Sequence, residues 1–201
     1  MGLDPGQVSA VLVTRGDVDM RPVIAALPYS DIVIWDNSKR PDAKVFGRYL
    51  GIAEAKNPVI YVQDDDCIVN YHNLLLEAYE PGFVIGSMVY PEECYSDTTL
   101  LGWGALFDRD LPQKAFDLWS KVYPIDDYFR EKECEYAFPM LSRTKTIYAF
   151  ADRVIAGERI EDRPNRTWKH PDHWDRTLAA LAKARQVRDI LKEGVCSTSS
   201  I

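Results

Sequence analysis

The sequence predicts an α/β protein: a mixed, mostly parallel sheet flanked by helices, in a single domain. Three observations predict it. Short β-branched apolar runs alternate with a helical pattern along the first third of the chain, as in sheets covered on both faces. Each of the first three runs ends in a polar or acidic turn. The 201 residues, 46% of them apolar, suffice for one large core, and no repeat or low-complexity linker divides them.

The elements follow in order. Val8–Thr14 reads as a strand ending in the polar loop Arg15-Gly16-Asp17. Ile32–Trp35, after Asp31, is a second strand that runs into the turn Asp36-Asn37-Ser38. Asp42–Lys56 predicts a helix, with Val45, Tyr49 and Ile52 in one stripe and Phe46, Leu50 and Ala53 beside it. Asn57-Pro58 stops that helix. Val59–Val62 is a third strand and leads directly into Gln63-Asp64-Asp65-Asp66. Phe83–Tyr90 and Leu100–Phe107 read as a fourth and a fifth strand, joined by the acidic loop Pro91–Thr98. Leu111–Lys121 and Asp126–Tyr136 have helical patterns, and Arg143–Gly157 fits no single element. A long helix is expected between Pro171 and Gly194, with Trp174, Leu178, Leu181, Val187 and Leu191 at helical spacing, and Val195–Ile201 as a loose tail.

Composition narrows the function classes. Residues 1–142 hold 12 Lys/Arg against 23 Asp/Glu, whereas residues 143–201 hold 12 against 8. An acidic front suits a divalent cation better than a polyanion. The small basic surplus behind it suits a phosphate group and is too slight to argue for nucleic acid alone. Apolar runs such as Val8–Val13 are far too short to span a bilayer. Met1–Gln7 carries Asp4 and Pro5 and no apolar core, so no signal peptide is expected. Cys67, Cys94, Cys134 and Cys196 are scattered without metal-ligand spacing and read as free thiols of a cytoplasmic protein.

The triplet Asp64-Asp65-Asp66 is the feature that asks for chemistry. Among 20 aspartates a D-x-D pattern is unremarkable, and Asp17/Asp19 and Asp108/Asp110 repeat it. Placement separates the middle one, because it lies at the carboxyl end of a strand, where open α/β sheets bind ligands. Adjacent carboxylates repel one another unless a cation compensates. Oxygen donors at this spacing suit Mg²⁺ or Mn²⁺ sharing a phosphate ligand. The competing reading is a solvated acidic turn, and the triplet alone does not choose between them.

The wider order adds to this. A strand ends in Thr14-Arg15, a second in Asp36, and a helix carrying Arg48 precedes the strand that ends in the triplet. The segment GRYLGIAEAKNPVIYVQDDDC resembles the nucleotide-sugar-binding half of the GT-A glycosyltransferases. The likeness is to their family 2-like group, of bacterial or phage type, with Gly51 and Ala55 at the small positions. It covers residues 8–70 well and 83–192 loosely. Asn37-Ser38-Lys39 and Gln63 depart from the pattern, and the chain is short for the family.

The resemblance implies a metal-dependent enzyme that moves a sugar from a nucleoside diphosphate sugar, such as a UDP-sugar, to a hydroxyl acceptor. Residues 8–90 form its donor half, 91–192 its acceptor half and 195–201 a tail. Thr14, Arg15, Asp36 and Arg48 would line the nucleotide sugar. Asp64 and Asp65 would contact ribose or sugar, and Asp66, with Asp64, would hold the metal on the diphosphate. Trp103 and Gly104, in a Gly-Trp-Gly strand start, would meet the acceptor; the alternative is a core tryptophan at a bulge. Asp127, or else Asp126, would be the base of an inverting reaction, though aspartates at a helix start are ordinary caps. Glu161-Asp162 is the reserve pair.

His173, or else His170, would complete the metal site, as a C-terminal histidine does in many GT-A enzymes. These are two of only three histidines, and they follow Arg159, Arg163 and Arg166. An imidazole ligand favours Mn²⁺ over Mg²⁺. The other readings are a sugar-phosphate nucleotidyltransferase, against which the sparse Arg15-Gly16 loop counts, and a non-catalytic nucleotide- or metal-binding module. The sequence leaves open whether the acceptor is a small molecule, protein, glycan or modified DNA base.

Overall fold

Strand β1 (Val8–Thr14) is buried along its whole length, because it pairs in parallel with β2 (Asp31–Asp36) on one side and β3 (Val59–Gln63) on the other. The computed structural model describes residues 2–87, 95–149, 154–155, 158–159 and 171–197. The sheet continues through β5 (Leu100–Asp108), β4 (Phe83–Ser87) and β6 (Arg143–Ile147), giving the order β2-β1-β3-β5-β4-β6. Strand β5 is antiparallel to both of its neighbours, and β4 pairs in parallel with β6. This is a six-stranded mixed sheet flanked by helices, as expected. A separate antiparallel pair joins β7 (Val154–Ile155) to β8 (Glu158–Arg159).

The strands alternate between two helical layers. Val11, Ile60, Val62 and Phe107 face one core with Phe116, Phe129, Phe138, Leu181 and Val187. Helices α2 (Gly47–Gly51), α4 (Leu111–Trp119), α5 (Cys134–Met140) and α6 (His173–Ser197) cover that face. Val8, Ala10, Tyr61 and Ile85 face the other, beneath α3 (His72–Ala78), and Leu12 meets Val23 of α1 (Arg21–Ala26). Burial of a period-2 strand on both faces explains why these runs lack a polar side.

Several elements differ from expectation. The helix expected over Asp42–Lys56 is three short pieces: 3₁₀ turns at Lys44–Phe46 and Ile52–Glu54 around α2. Lys44 enters them in the left-handed region, at φ 53°. The helix expected over Asp126–Tyr136 contains a π turn, Phe129–Glu133, and continues through α5 to Met140. Helices α1 and α3 carry too few residues to show a period. The ambiguous stretch from Arg143 opens with β6. The buried stripe of α6 is Thr177, Ala180, Leu181, Ala184 and Val187, while Trp174 and Leu178 are about half exposed. Of the expected stripe, Leu181 and Val187 are thus buried and Leu191 packs against the core, whereas Trp174 and Leu178 are not buried. Helix α6 runs on to Ser197, into the segment expected to be a loose tail.

The chain steps from β1 out to β2 and then crosses back over β1 to reach β3. The carboxyl ends of β1 and β3 therefore flank a topological switch point, the crevice where α/β sheets bind ligands.

Candidate functional site

The switch point is where the acidic turn sits, and each side of it is tied to a distant part of the chain. Thr14, the last residue of β1, donates its hydroxyl to Asp65 Oδ2 at 2.7 Å, with both residues buried. Arg48 of α2 reaches Asp64 Oδ1 through Nη2 at 2.7 Å. Its other terminal nitrogen, Nη1, lies 2.9 Å from Oε1 of Glu135 on α5. That second contact is an ion pair without hydrogen-bond alignment, and Arg48 Nε also lacks a partner. Arg48 is only 1% exposed. Burial works against its charge, but the carboxylates of Glu135 and Asp64 outweigh it and hold the guanidinium protonated. Burial likewise pushes the Glu135 carboxyl up, against the pull of Arg48, and the nearby Asp64 adds to the rise.

The turn is also clamped from below. Buried Gln63 accepts from the Tyr61 hydroxyl at 2.8 Å and donates to the carbonyls of Cys67 at 2.8 Å and Asp64 at 3.2 Å. The amide thus satisfies backbone carbonyls that an apolar side chain would leave bare. Asp64 N–H donates to Gly102 O at 2.8 Å. A Cβ at Gly102 would run into the Asp64 carboxylate, so any larger residue there would have to displace that carboxylate from where Arg48 holds it. Gly104 adopts φ 98°, which favours glycine again, and it lies in the stretch where the register of β5 against β4 shifts. Trp103 between them is partly buried, and its carbonyl accepts from the Tyr71 hydroxyl.

A concavity of about 480 Å³ opens beside Thr14, lined by Gly16, Ile34, Asp36, Lys39 and Arg40. Asp36 Oδ1 accepts from Ser38 N–H and Ser38 Oγ, and Oδ2 pairs with Lys39 at 2.7 Å. Lys39 and then Ser38 bring its carboxyl down to about 2. Arg15 turns to Asp17 and is exposed. A larger groove, about 750 Å³, lies at the opposite end of the sheet against Tyr49, Pro58, Arg109 and Phe116. Its wall charges Asp110 and Lys114 pair with each other, one helical turn apart. The smaller concavity is the better site, because it adjoins the switch point and the long-range charge contacts.

No family model matches this chain, and no curated protein matches it either.

The remaining expected residues are more scattered. Asp126 Oδ1 caps the helix by accepting from Phe129 N–H at 2.8 Å. Asp127 is fully exposed, with Arg130 at 4.0 Å. It stands eight residues before Glu135, on the order of 10 Å along the helix. His173 opens α6, its ring 5.7 Å from that of Trp174. His170, Glu161, Asp162, Arg163 and Arg166 lie outside the described residues. Sequence reasoning missed Glu135, which looks like an ordinary helix acid until the fold brings it to Arg48.

Among the described residues no three His, Cys, Asp or Glu side chains converge as a cation cage. Asp65 is committed to Thr14, while Asp64 and Asp66 remain partly exposed at the turn. One or two carboxylates are what Mg²⁺ uses when substrate phosphates and water complete its shell. The donor set therefore fits a hard cation shared with a phosphate. Among the described residues, no helix is long and apolar enough to cross a membrane.

Proposed function

We propose that this protein is a metal-dependent glycosyltransferase of the GT-A type, moving a sugar from a nucleoside diphosphate sugar to a hydroxyl acceptor. The observation that carries the reading is the acidic turn at the β1/β3 switch point, tied by Thr14 to one wall of the concavity and by Arg48 to the helical layer. In this reading the nucleotide occupies the concavity at Thr14, Arg15 and Asp36. Asp64, fixed by Arg48, accepts a hydroxyl of the donor. Trp103 and Gly104 form the acceptor side.

The acceptor oxygen bonds to the anomeric carbon as the bond from that carbon to the phosphate oxygen breaks, and the nucleoside diphosphate leaves with the electron pair. The hydroxyl proton goes to a carboxylate. Asp127 is the better base of its pair, since Asp126 is committed to the Phe129 N–H. A cation held by Asp66 and Asp64 would supply charge stabilisation for the departing diphosphate.

The test is a thermal-shift screen with a panel of sugar nucleotides, with and without Mn²⁺, followed by assay of nucleoside diphosphate release. A ligand present at a hundred times its Kd stabilises the fold by about 2.7 kcal/mol, a shift of several degrees. Stabilisation that needs Mn²⁺, together with nucleoside diphosphate release, supports the proposal. Pyrophosphate-dependent turnover would mark a nucleotidyltransferase instead, and binding without turnover a non-catalytic module.

A further inference from the structure

We propose that Glu135 is a ligand-binding residue of the donor site: together with Asp64 it accepts hydroxyl groups of the transferred sugar, and buried Arg48 holds both carboxylates in place. The inference rests on the glycosyltransferase reading and deepens it. Neutralising a buried guanidinium takes one carboxylate, yet Arg48 faces two, Asp64 at 2.7 Å and Glu135 at 2.9 Å. Buried Lys132, three residues before Glu135 in the chain, is a second cation acting on it, so what Glu135 lacks is a hydrogen-bonding partner rather than charge.

The oxygens indicate where that partner lies. Glu135 Oε1 is buried against Arg48, and no hydrogen bond reaches either carboxylate oxygen from the described residues. The side chain is nevertheless 27% exposed, and Oε2, unlike Oε1, is not shut off from solvent. The Asp64 carboxylate on the other arm of the same fork is 43% exposed. Two acceptors are thus presented to solvent from one rigid guanidinium, whose Nε and Nη1 lack hydrogen-bond partners.

This arrangement selects a ligand class. Paired carboxylates repel phosphate and accept charge-assisted hydrogen bonds from hydroxyls, so the ligand at Glu135 is a polyol. In a sugar nucleotide that is the sugar, with the diphosphate kept toward Asp66.

The experiment is calorimetric titration, in Mn²⁺, of wild type and Glu135→Gln. The probes are UDP-glucose, GDP-mannose and dTDP-glucose, each beside its own nucleoside diphosphate. Wild type is expected to bind one of the sugar nucleotides. For that one, Glu135→Gln should weaken binding about tenfold, the scale of a hydrogen bond to a charged group. Affinity for the matching nucleoside diphosphate should stay within about twofold. Glu135→Asp keeps the charge facing Arg48 and withdraws the carboxylate by one methylene, so it should show the same selective loss even if Glu135→Gln does not fold. Equal weakening of sugar nucleotide and nucleoside diphosphate would overturn the proposal and leave Glu135 as support for Arg48 alone. Unchanged affinities in both variants would also overturn it. Failure of wild type to bind any probe would instead strike the glycosyltransferase reading on which it rests.

Discussion

Two acidic turns end the strands on either side of β1, and they are built differently. The turn after β2 closes on itself: Asp36 is bound by Ser38 and Lys39, two and three residues away. The turn after β3 is held from outside, with Asp65 bound by Thr14 of β1 and Asp64 by Arg48 of α2. Behind Arg48 stands Glu135 from the far half of the chain. A carboxylate satisfied by its own turn needs no ligand, whereas carboxylates positioned by separate elements and left partly exposed are arranged for one.

The largest expected effect tests the outside hold. Arg48→Met should destabilise the protein by about 3 kcal/mol, the low end for breaking a buried ion cluster, because both carboxylates reach solvent. Denaturant unfolding measures it. Sugar-nucleotide affinity should fall further than that loss of folded fraction explains, since Asp64 loses its anchor. A variant as stable as wild type would erase the contrast between the two turns.

A smaller effect is expected at the other turn. Asp36→Asn should change nucleotide affinity by no more than about threefold, because the carboxylate is largely consumed by its own turn. Asp36 has a depressed folded-state pKa. Its contribution to stability is therefore complete above the ordinary value of 3.8 and is lost as pH falls through about 2. The variant should lack that acid limb, lying below wild type near neutrality and converging with it as pH falls toward 2, as melting curves across pH would record. A loss of nucleotide binding as large as that of Arg48→Met would remove the distinction.

The same contrast sets what the sequence could reveal. Strands β1, β2, β3 and β5 were legible because a sheet covered on both faces demands continuous apolar runs. The end of β3 was legible as a candidate site because position on a strand is local information. Helices α1 and α3, with six and seven residues, are too short for a 3.6 period to declare itself. The expected helix over Asp42–Lys56 broke because Lys44 enters it from the left-handed region and Gly47 and Gly51 weaken its middle. Glu135 was hidden for a different reason. Its partner Arg48 is distant in sequence, and only the packing of α5 on α2 and the sheet joins them. Gln63 was visible as an oddity, but its purpose, bridging the Tyr61 hydroxyl to the carbonyls of the turn, exists only in three dimensions.

The central claim is that the turn after β3 receives a metal-bound sugar nucleotide. The most direct measurement is nucleoside diphosphate release from a sugar-nucleotide panel, with and without Mn²⁺, by wild type and Asp66→Asn. Wild type should turn over one donor only with the divalent ion. Asp66→Asn, at a partly exposed position, should keep the wild-type melting temperature and lose that turnover by about a hundredfold or more. Full metal-dependent activity in a folded Asp66→Asn, or no release from any donor by wild type, would contradict the account.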